Sequence, residues 1–206
     1  MARQVAVLLF ADVDILDFAG PFEVFGVTGG RDGPELFEVV TVAAERSPIS
    51  ARNGLSINPT YSFEDCPTCQ VLVVPGGPGT RREKNNAAML DFIRRHADNA
   101  DHVLSVCTGA LLLAKAGLLD GLSATTHHHA MDELRNDAPA TTVLDQARVV
   151  DNGKFILSAG VSAGIDAALY TVAQLHGLDQ AIETAARMEY DWRLRVADGS
   201  SIARTA

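Results

Sequence analysis

The chain carries one strand-like segment, Phe37–Ala43, and three short apolar runs without a polar face: Val5–Phe10, Gln70–Val74 and His102–Val106. These runs are rich in valine and leucine, which is typical of parallel strands that are buried on both faces. Helical patterns lie between and after them, over Pro21–Val27, Ala87–Asp98, Thr108–Ala116, Val161–His176 and Ala181–Met188. The alternation predicts an α/β fold in which a mostly parallel sheet is covered by helices on both faces.

Two turn signals add hairpins to this pattern. Asn53-Gly54 lies between two short segments, and Asp151-Asn152-Gly153 joins Ala147–Val150 to Lys154–Ser158. Both are typical of tight antiparallel turns. The sequence shows no internal repeat and no interdomain linker, so we expect residues 1–206 to form one domain. The small and polar segment 197–206 is expected to fray.

Charge and composition narrow the class of partner. The chain has 17 Lys and Arg against 26 Asp and Glu, a net charge of −9. This balance argues against a nucleic-acid partner, because binding to phosphates needs a basic face. We expect no membrane partner, since every long apolar stretch is interrupted by charge or glycine. The chain opens without a secretory signal and its 3 cysteines do not make a disulfide framework, so we expect a cytoplasmic protein.

The residues that follow the strands form the candidate site, because ligands of open α/β sheets bind beyond the carboxyl ends of the strands. Asp17 follows the first strand, Pro75-Gly76-Gly77 the third and Cys107 the fourth. A carboxylate, a glycine-rich loop and a thiol are therefore expected to converge on one sheet edge. The N–H groups of Gly76 and Gly77 could face an anion, although a simple strand-ending turn also explains these glycines.

Cys107 is the main candidate nucleophile. Ser105-Val106-Cys107-Thr108-Gly109 places a thiol at a strand-to-helix turn, with small residues two positions before and after it, as a nucleophile elbow requires. The start of the following helix directs N–H groups at the sulfur, which favours the thiolate. The alternative is a cysteine that only fills the core.

Two acids are candidates for proton transfer or substrate binding. Asp17 interrupts an apolar stretch, so we expect a half-buried carboxyl group with a raised pKa that can carry protons. Glu23, on the following helix, is the second candidate. The alternative for both is a cap or dipole partner at a helix start. Asp12 and Asp14 are interpreted as solvated loop residues.

His127 and the pair Cys66 and Cys69 are weaker candidates. His127 is the first of three adjacent histidines after a predicted strand at Ala124–Thr126, and it could approach the thiol. Successive strand residues point to opposite faces, so the three histidines are not expected to bind one metal. Cys66 and Cys69 form a CxxC motif without further ligands, which we interpret as an inert surface loop. We predict no metal site.

Five segments resemble, in this order, the ThiJ/PfpI superfamily: Leu16–Phe25, Val73–Gly77, Ser105–Ala110, Ala124–His127 and Ser158–Asp166. The resemblance covers residues 4 to about 190. It implies a flavodoxin-like three-layer α/β/α sandwich that is related to the class I glutamine amidotransferases. It also implies a homodimer.

Within this superfamily the chain is most similar to the isonitrile hydratase branch. That branch pairs the elbow cysteine with an aspartate after the first strand and a threonine after the cysteine, which match Cys107, Asp17 and Thr108. The resemblance implies that a small-molecule isonitrile, R–N≡C, gains water through a cysteine thioimidate and leaves as an N-substituted formamide. Asp17 would protonate the nitrogen, while Thr108 and the Gly77 backbone would hold charge or water. No metal or organic cofactor is required.

Other functions stay open. The protease-like branch has histidine after its cysteine, where this chain has Thr108, so a peptidase site is disfavoured. A thiol-based glyoxalase or deglycase that acts on reactive carbonyls is one alternative. A non-catalytic sensor is another, in which Cys107 reports the redox state. The AraC-type regulators share most of the motifs but continue into helix-turn-helix domains, so the 206-residue chain is not expected to bind DNA.

Overall fold

The computed structural model describes residues 2–29 and 34–193, together with the backbone of Ile202–Arg204. The strands of the described chain are β1 (Arg3–Leu8), β2 (Phe37–Ala43), β3 (Ile49–Ser50), β4 (Ser56–Ile57), β5 (Tyr61–Ser62), β6 (Val71–Val74), β7 (His102–Val106), β8 (Ser123–Ala124), β9 (Thr142–Val143), β10 (Val149–Asn152), β11 (Phe155–Ser158) and β12 (Ile202–Arg204). The helices are α1 (Ile15–Val27), α2 (Thr80–Glu83), α3 (Ala87–Asn99), α4 (Gly109–Lys115), α5 (Met131–Asp137), α6 (Ala163–His176) and α7 (Leu178–Arg187).

A mostly parallel sheet lies at the centre of the fold. Its strands are in the order β12–β10–β11–β7–β6–β1–β2–β5, and the β10–β11 hairpin is its antiparallel pair. All four residues of β6 are buried, as are the last four of β1 and of β7. A strand that is buried along both faces needs apolar side chains at every position, which explains why these strands read as continuous apolar runs.

Helices cover both faces of the sheet and complete three layers. On one side α1, α6 and α7 contact one another, and on the other α4 packs against α2, α3 and α5. The α/β/α architecture with a mostly parallel sheet is therefore confirmed. Among the described residues, no helix is both long and apolar enough to cross a membrane.

Both predicted hairpins are confirmed. β3 and β4 pair antiparallel around Asn53 and Gly54, and β10 and β11 pair antiparallel around Gly153. Asn53 and Gly153 both have positive φ, 63° and 77°, which is the backbone conformation that Asn and Gly adopt most readily in tight turns.

The structure corrects the first helix and part of the tail. α1 begins at Ile15, so Pro21 lies inside the helix, whereas the sequence pattern suggested a helix start at Pro21. The proline ring is buried against the core while its missing N–H leaves the carbonyl of Asp17 without the usual helical donor. Ile202–Arg204, predicted to fray, forms the edge strand β12 beside β10. The rest of segment 197–206 lies outside the described residues.

Candidate active site

Four neighbouring strands bring the candidate residues to one edge of the sheet. β11, β7, β6 and β1 are adjacent and parallel to one another, so their carboxyl ends meet. The chain beyond these ends supplies Asp17, the Gly76-Gly77 loop, Cys107 and Val161. The predicted convergence of a carboxylate, a glycine loop and a thiol is therefore found.

Cys107 lies at a sharp turn between β7 and α4. Its φ of 56° is in the left-handed region, which side chains other than glycine rarely adopt. The turn is fixed by its own backbone: the Cys107 N–H donates to the carbonyls of Ser158 and Ala159 at 3.2 and 3.0 Å. The Cys107 carbonyl accepts a 2.7 Å hydrogen bond from the Thr126 hydroxyl. Such a strained and fully bonded turn is typical of a nucleophile elbow.

A small residue is indispensable two positions after the thiol. A Cβ on Gly109 would lie 2.0 Å from the carbonyl oxygen of Val74, at the end of β6. The glycine therefore lets α4 begin directly against the neighbouring strand. This contact explains the small-residue spacing that identified the elbow in the sequence.

The sulfur of Cys107 is almost completely buried, with the residue 3% exposed. Burial, together with the nearby Asp17 carboxylate, raises the pKa of the Cys107 thiol to about 12. The backbone N–H groups of Thr108 and Val161 donate to the sulfur and oppose this rise. The thiolate preference expected from the helix start is therefore outweighed by burial and by the neighbouring carboxylate.

Asp17 is fully buried rather than half-buried, because α1 begins two residues before it and packs it against the elbow. Burial, aided by the carboxylate of Asp14, raises the pKa of Asp17 to about 7. Hydrogen bonds from the Gly76 N–H and the Cys107 thiol oppose this rise. A carboxyl group with a pKa near neutrality can both accept and release a proton at physiological pH.

The glycine loop positions side chains and does not offer free N–H groups. The Gly76 N–H donates to Asp17 Oδ2 at 3.1 Å, and the Gly77 N–H donates to Thr108 Oγ1 at 2.9 Å. The Thr108 hydroxyl lies 3.2 Å from the carbonyl of Gly77, to which it donates. Both donors are therefore occupied by site residues, and the prediction that Gly76 and Gly77 bind a substrate stays a prediction. The N–H groups that face the sulfur of Cys107 belong to Thr108 and Val161.

His127 lines a cavity of about 160 Å³ that also opens on Cys107 and Thr108. Its Nδ1 accepts a hydrogen bond from the His129 N–H at 3.2 Å, so the neutral ring carries its proton on Nε2. Burial lowers the pKa of His127 and so favours this neutral form. The histidines follow one another around a turn, and the rings of His127 and His128 stack with centroids 4.3 Å apart. The alternating strand arrangement assumed for them is wrong.

Two further candidates lie elsewhere. Glu23 is exposed on α1 and is not among the residues that line the cavity, so the structure does not bring it to the site. Cys69 is buried in the core, with its sulfur 3.5 Å from Nδ1 of His96, while Cys66 is partly exposed. The interpretation of the CxxC motif as a surface loop is therefore wrong for Cys69, which is buried two residues before β6 begins.

Arg52 belongs to the site although the sequence did not single it out. Asp14 also belongs there, and its interpretation as a solvated loop residue is wrong, because its side chain is only 17% exposed. Both line the cavity, and Arg52 Nη1 donates to Asp14 Oδ1 at 3.0 Å. Atoms of Asp14, Asp17 and Cys107 lie within 4.8 Å of one another. A metal would need these ligands deprotonated, whereas burial favours the protonated forms of Asp17 and Cys107, so the arrangement suits proton transfer better. Arg52 could not have been found from the sequence, since only the packing of the β3–β4 hairpin brings it here.

Comparison with known proteins identifies relatives in sequence and in structure. The profile of the DJ-1/PfpI family matches residues 3–174. The chain is 40% identical over 190 residues to isonitrile hydratase of Pseudomonas putida, an alignment that covers 92% of this chain and 79% of that protein. It is 30% identical over 185 residues to the HTH-type transcriptional regulator CdhR of Pseudomonas aeruginosa, covering 90% of this chain and 54% of the regulator. The crystal structure of a ThiJ/PfpI family protein from Pseudomonas syringae superposes with a TM-score of 0.84 at 33% identity, covering 97% of this chain and 80% of that one.

Proposed function

The chain belongs to the DJ-1/PfpI family, and from this premise we propose that it is an isonitrile hydratase, which adds water to R–N≡C and releases an N-substituted formamide. The observation that carries the proposal is the buried pair of Cys107 and Asp17, a nucleophile and a proton carrier within 4.8 Å of each other. The similarity to the Pseudomonas putida enzyme supports the same reaction.

The first step forms a bond between sulfur and carbon. Asp17 accepts the thiol proton as Cys107 attacks, because a thiol whose pKa is raised needs a base to become a nucleophile. The isonitrile carbon takes the sulfur and then this proton from Asp17, so that in this step the proton ends on the carbon and not, as the resemblance implied, on the nitrogen. The product is a thioimidate, R–N=CH–S, on Cys107. No proton or electron is left over in this step.

The second step releases the formamide. Water adds its oxygen to the thioimidate carbon, one of its protons goes to the nitrogen, and the carbon–sulfur bond breaks. The second water proton returns to Cys107 through Asp17. Negative charge develops on the departing sulfur, and the N–H groups of Thr108 and Val161 already point at it. Thr108 also fixes the glycine loop through its hydroxyl, so its side chain positions the site rather than reacting.

The test is an assay of the purified chain with one alkyl and one aryl isonitrile in water enriched in oxygen-18. We expect formamide that carries one labelled oxygen, detected by mass spectrometry. Failure to form any formamide would contradict the proposal.

Two controls address the alternative functions. Turnover of methylglyoxal without turnover of isonitriles would favour the glyoxalase or deglycase function. A sulfinate on Cys107 under mild peroxide, with no turnover of either substrate, would favour a redox sensor.

A further inference from the structure

A second cavity adjoins the one that contains Cys107. Its volume is about 310 Å³, against about 160 Å³ for the catalytic cavity. The two cavities share Asp14 and Arg52. The lining of the second cavity is completed by Ile15, Leu16, Asn53 and Val161. Three of its lining residues, Ile15, Leu16 and Val161, are therefore large and apolar. The bond-forming steps of the proposed reaction take place at Cys107, in the smaller cavity, and do not use the second one.

Val161 is held in a conformation that a valine rarely adopts. Its φ is 48°, in the left-handed region where a β-branched side chain is strained. The Val161 N–H points at the sulfur of Cys107, and this explains the backbone conformation of the residue. It does not explain why the side chain is that of valine. Glycine would reach the same conformation without strain. The valine is also 37% exposed, so burial in the core does not compensate for the strain.

Leu16 shares this exposure at the same cavity. Its side chain lies on the first turn of α1 and the residue is 40% exposed. An apolar ligand that packs between Leu16 and Val161 would remove both from water and would be stabilised by that burial. A bound apolar ligand would therefore explain why Leu16 and Val161 expose apolar side chains at this cavity.

The charges around the two cavities favour an uncharged ligand. Arg52 is paired with Asp14 at 3.0 Å, and Arg81 is bound through Nε and Nη2 to a single carboxylate oxygen of Glu133 at 3.0 and 2.8 Å. Each lining arginine therefore already has a carboxylate partner. An anionic ligand would meet the carboxylate of Asp14, which lines both cavities.

We propose that the second cavity is the subsite for the R group of the substrate and that Val161, with Leu16, selects uncharged apolar R groups. The proposal rests on the proposed isonitrile hydration. R–N≡C is linear, so once its carbon is at Cys107 the R group must point away from the sulfur. A long R group then leaves the small catalytic cavity and enters the larger one beside it.

The first test compares substrates on the unmodified protein. We expect kcat/KM to rise from methyl isonitrile to pentyl isonitrile. We expect it to fall for an isonitrile of the same chain length that ends in a carboxylate. A preference for the carboxylate-bearing substrate, or no dependence on chain length, would overturn the subsite while leaving the hydratase function in place.

The second test uses Val161→Ala and Val161→Gly. Val161→Ala removes two side-chain carbons and Val161→Gly removes three, so KM for pentyl isonitrile should rise up to about fifteen-fold in the alanine variant and further in the glycine variant. In both variants, kcat/KM for methyl isonitrile, whose R group does not reach the second cavity, should fall far less than kcat/KM for pentyl isonitrile. Val161→Gly also relieves the backbone strain, so it provides a folded variant if Val161→Ala is unstable. Leu178→Ala is the matched control, because Leu178 is 47% exposed on α7 and does not line the cavity.

Three results would overturn the assignment. Equal losses with methyl and pentyl isonitriles would show that Val161 acts through its N–H at the sulfur. A change of KM that follows protein concentration, with a shifted monomer–dimer equilibrium in sedimentation, would show that this face is an interface between two copies of the chain. Absence of turnover with every isonitrile would remove the proposed function and the subsite together, and the unmodified protein reveals this before any variant is made.

Discussion

At the scale of single residues, the proposed chemistry depends on one proton that Cys107 and Asp17 share. Replacing Cys107 with serine removes the soft nucleophile, and the alcohol has a far higher pKa than a thiol. We expect Cys107→Ser to retain less than about a tenth of the turnover. Formamide production and the circular dichroism spectrum should be measured on the same preparation. Higher residual activity would exclude nucleophilic catalysis by Cys107.

Asp17 is expected to set the pH dependence of the reaction. The reactive form of the pair has lost one proton, and burial raises the pKa of Asp17 to about 7. kcat/KM should therefore rise as the pH increases through about 7 and then level off, because the thiol itself, with a pKa of about 12, does not ionise in this range.

Asp17→Asn tests this assignment directly. The amide can hydrogen-bond to the sulfur but cannot carry a proton, so we expect turnover to fall strongly and the rise near pH 7 to disappear. Because the proposed mechanism needs Asp17 before the thioimidate is complete, no thioimidate should accumulate on Cys107 in the intact mass. Unchanged rates in this variant would assign Asp17 to a structural role at the start of α1.

Sequence patterns identify Cys107 and Asp17 but miss two other residues of the site, and both outcomes have a physical reason. Cys107 and Asp17 were found because the ends of buried parallel strands meet at one edge, and apolar runs reveal such strands. Arg52 and Val161 were not found. Arg52 reaches the site from a hairpin that is distant in the sequence, and the importance of Val161 depends on a backbone angle that its residue type disfavours.

At the scale of elements, the site depends on how closely the glycine loop after β6 approaches the start of α4. A Cβ on Gly76 would lie 2.5 Å from the Thr108 nitrogen and 2.9 Å from Asp17 Oδ2. Gly76→Ala must therefore separate the loop from the elbow, and we expect activity to fall at least tenfold with a stability loss of about 1–3 kcal/mol. Kinetics and urea denaturation measure the two effects.

Gly26→Ala is the matched substitution in α1. A Cβ on Gly26 meets nothing within 4 Å, and the residue lies in a helix, so alanine should stabilise the protein by about 0.5–1 kcal/mol without changing turnover. Similar losses in both variants would mean that the close approach at Gly76 is not important for the site.

The same elements show where sequence patterns fall short. Pro21 is typical of a first helical turn, yet the residues before it also join α1 because they pack against the sheet and carry Asp17 into the site. The glycines were interpreted by what their free N–H groups could bind. Which partner occupies an N–H group depends on side chains from other strands, and the chain order does not reveal this.

At the scale of the whole molecule, the buried carboxyl group of Asp17 should lower the stability of the fold near neutral pH. In the unfolded chain Asp17 has its ordinary pKa of 3.8, whereas in the fold burial raises it to about 7. The folded state therefore holds a proton that the unfolded state has already released between these two pH values. The protonated carboxyl therefore contributes its full stabilisation to the fold below about pH 4. This contribution to the free energy of unfolding, about 4 kcal/mol, is lost as the pH rises to about 7.

Asp17→Asn should remove this loss, because the amide does not ionise, while its oxygen can still accept the hydrogen bond from Gly76. We expect the variant to gain stability over the unmodified protein between pH 5 and pH 8, although it is catalytically impaired. Urea denaturation at both pH values measures the difference, and Asp12→Asn, at an exposed position of the preceding loop, should show little change at either pH. If the stability difference between Asp17→Asn and the unmodified protein stays the same at the two pH values, Asp17 does not hold its proton on folding. The proton that the proposed reaction transfers would then have to be held by another group.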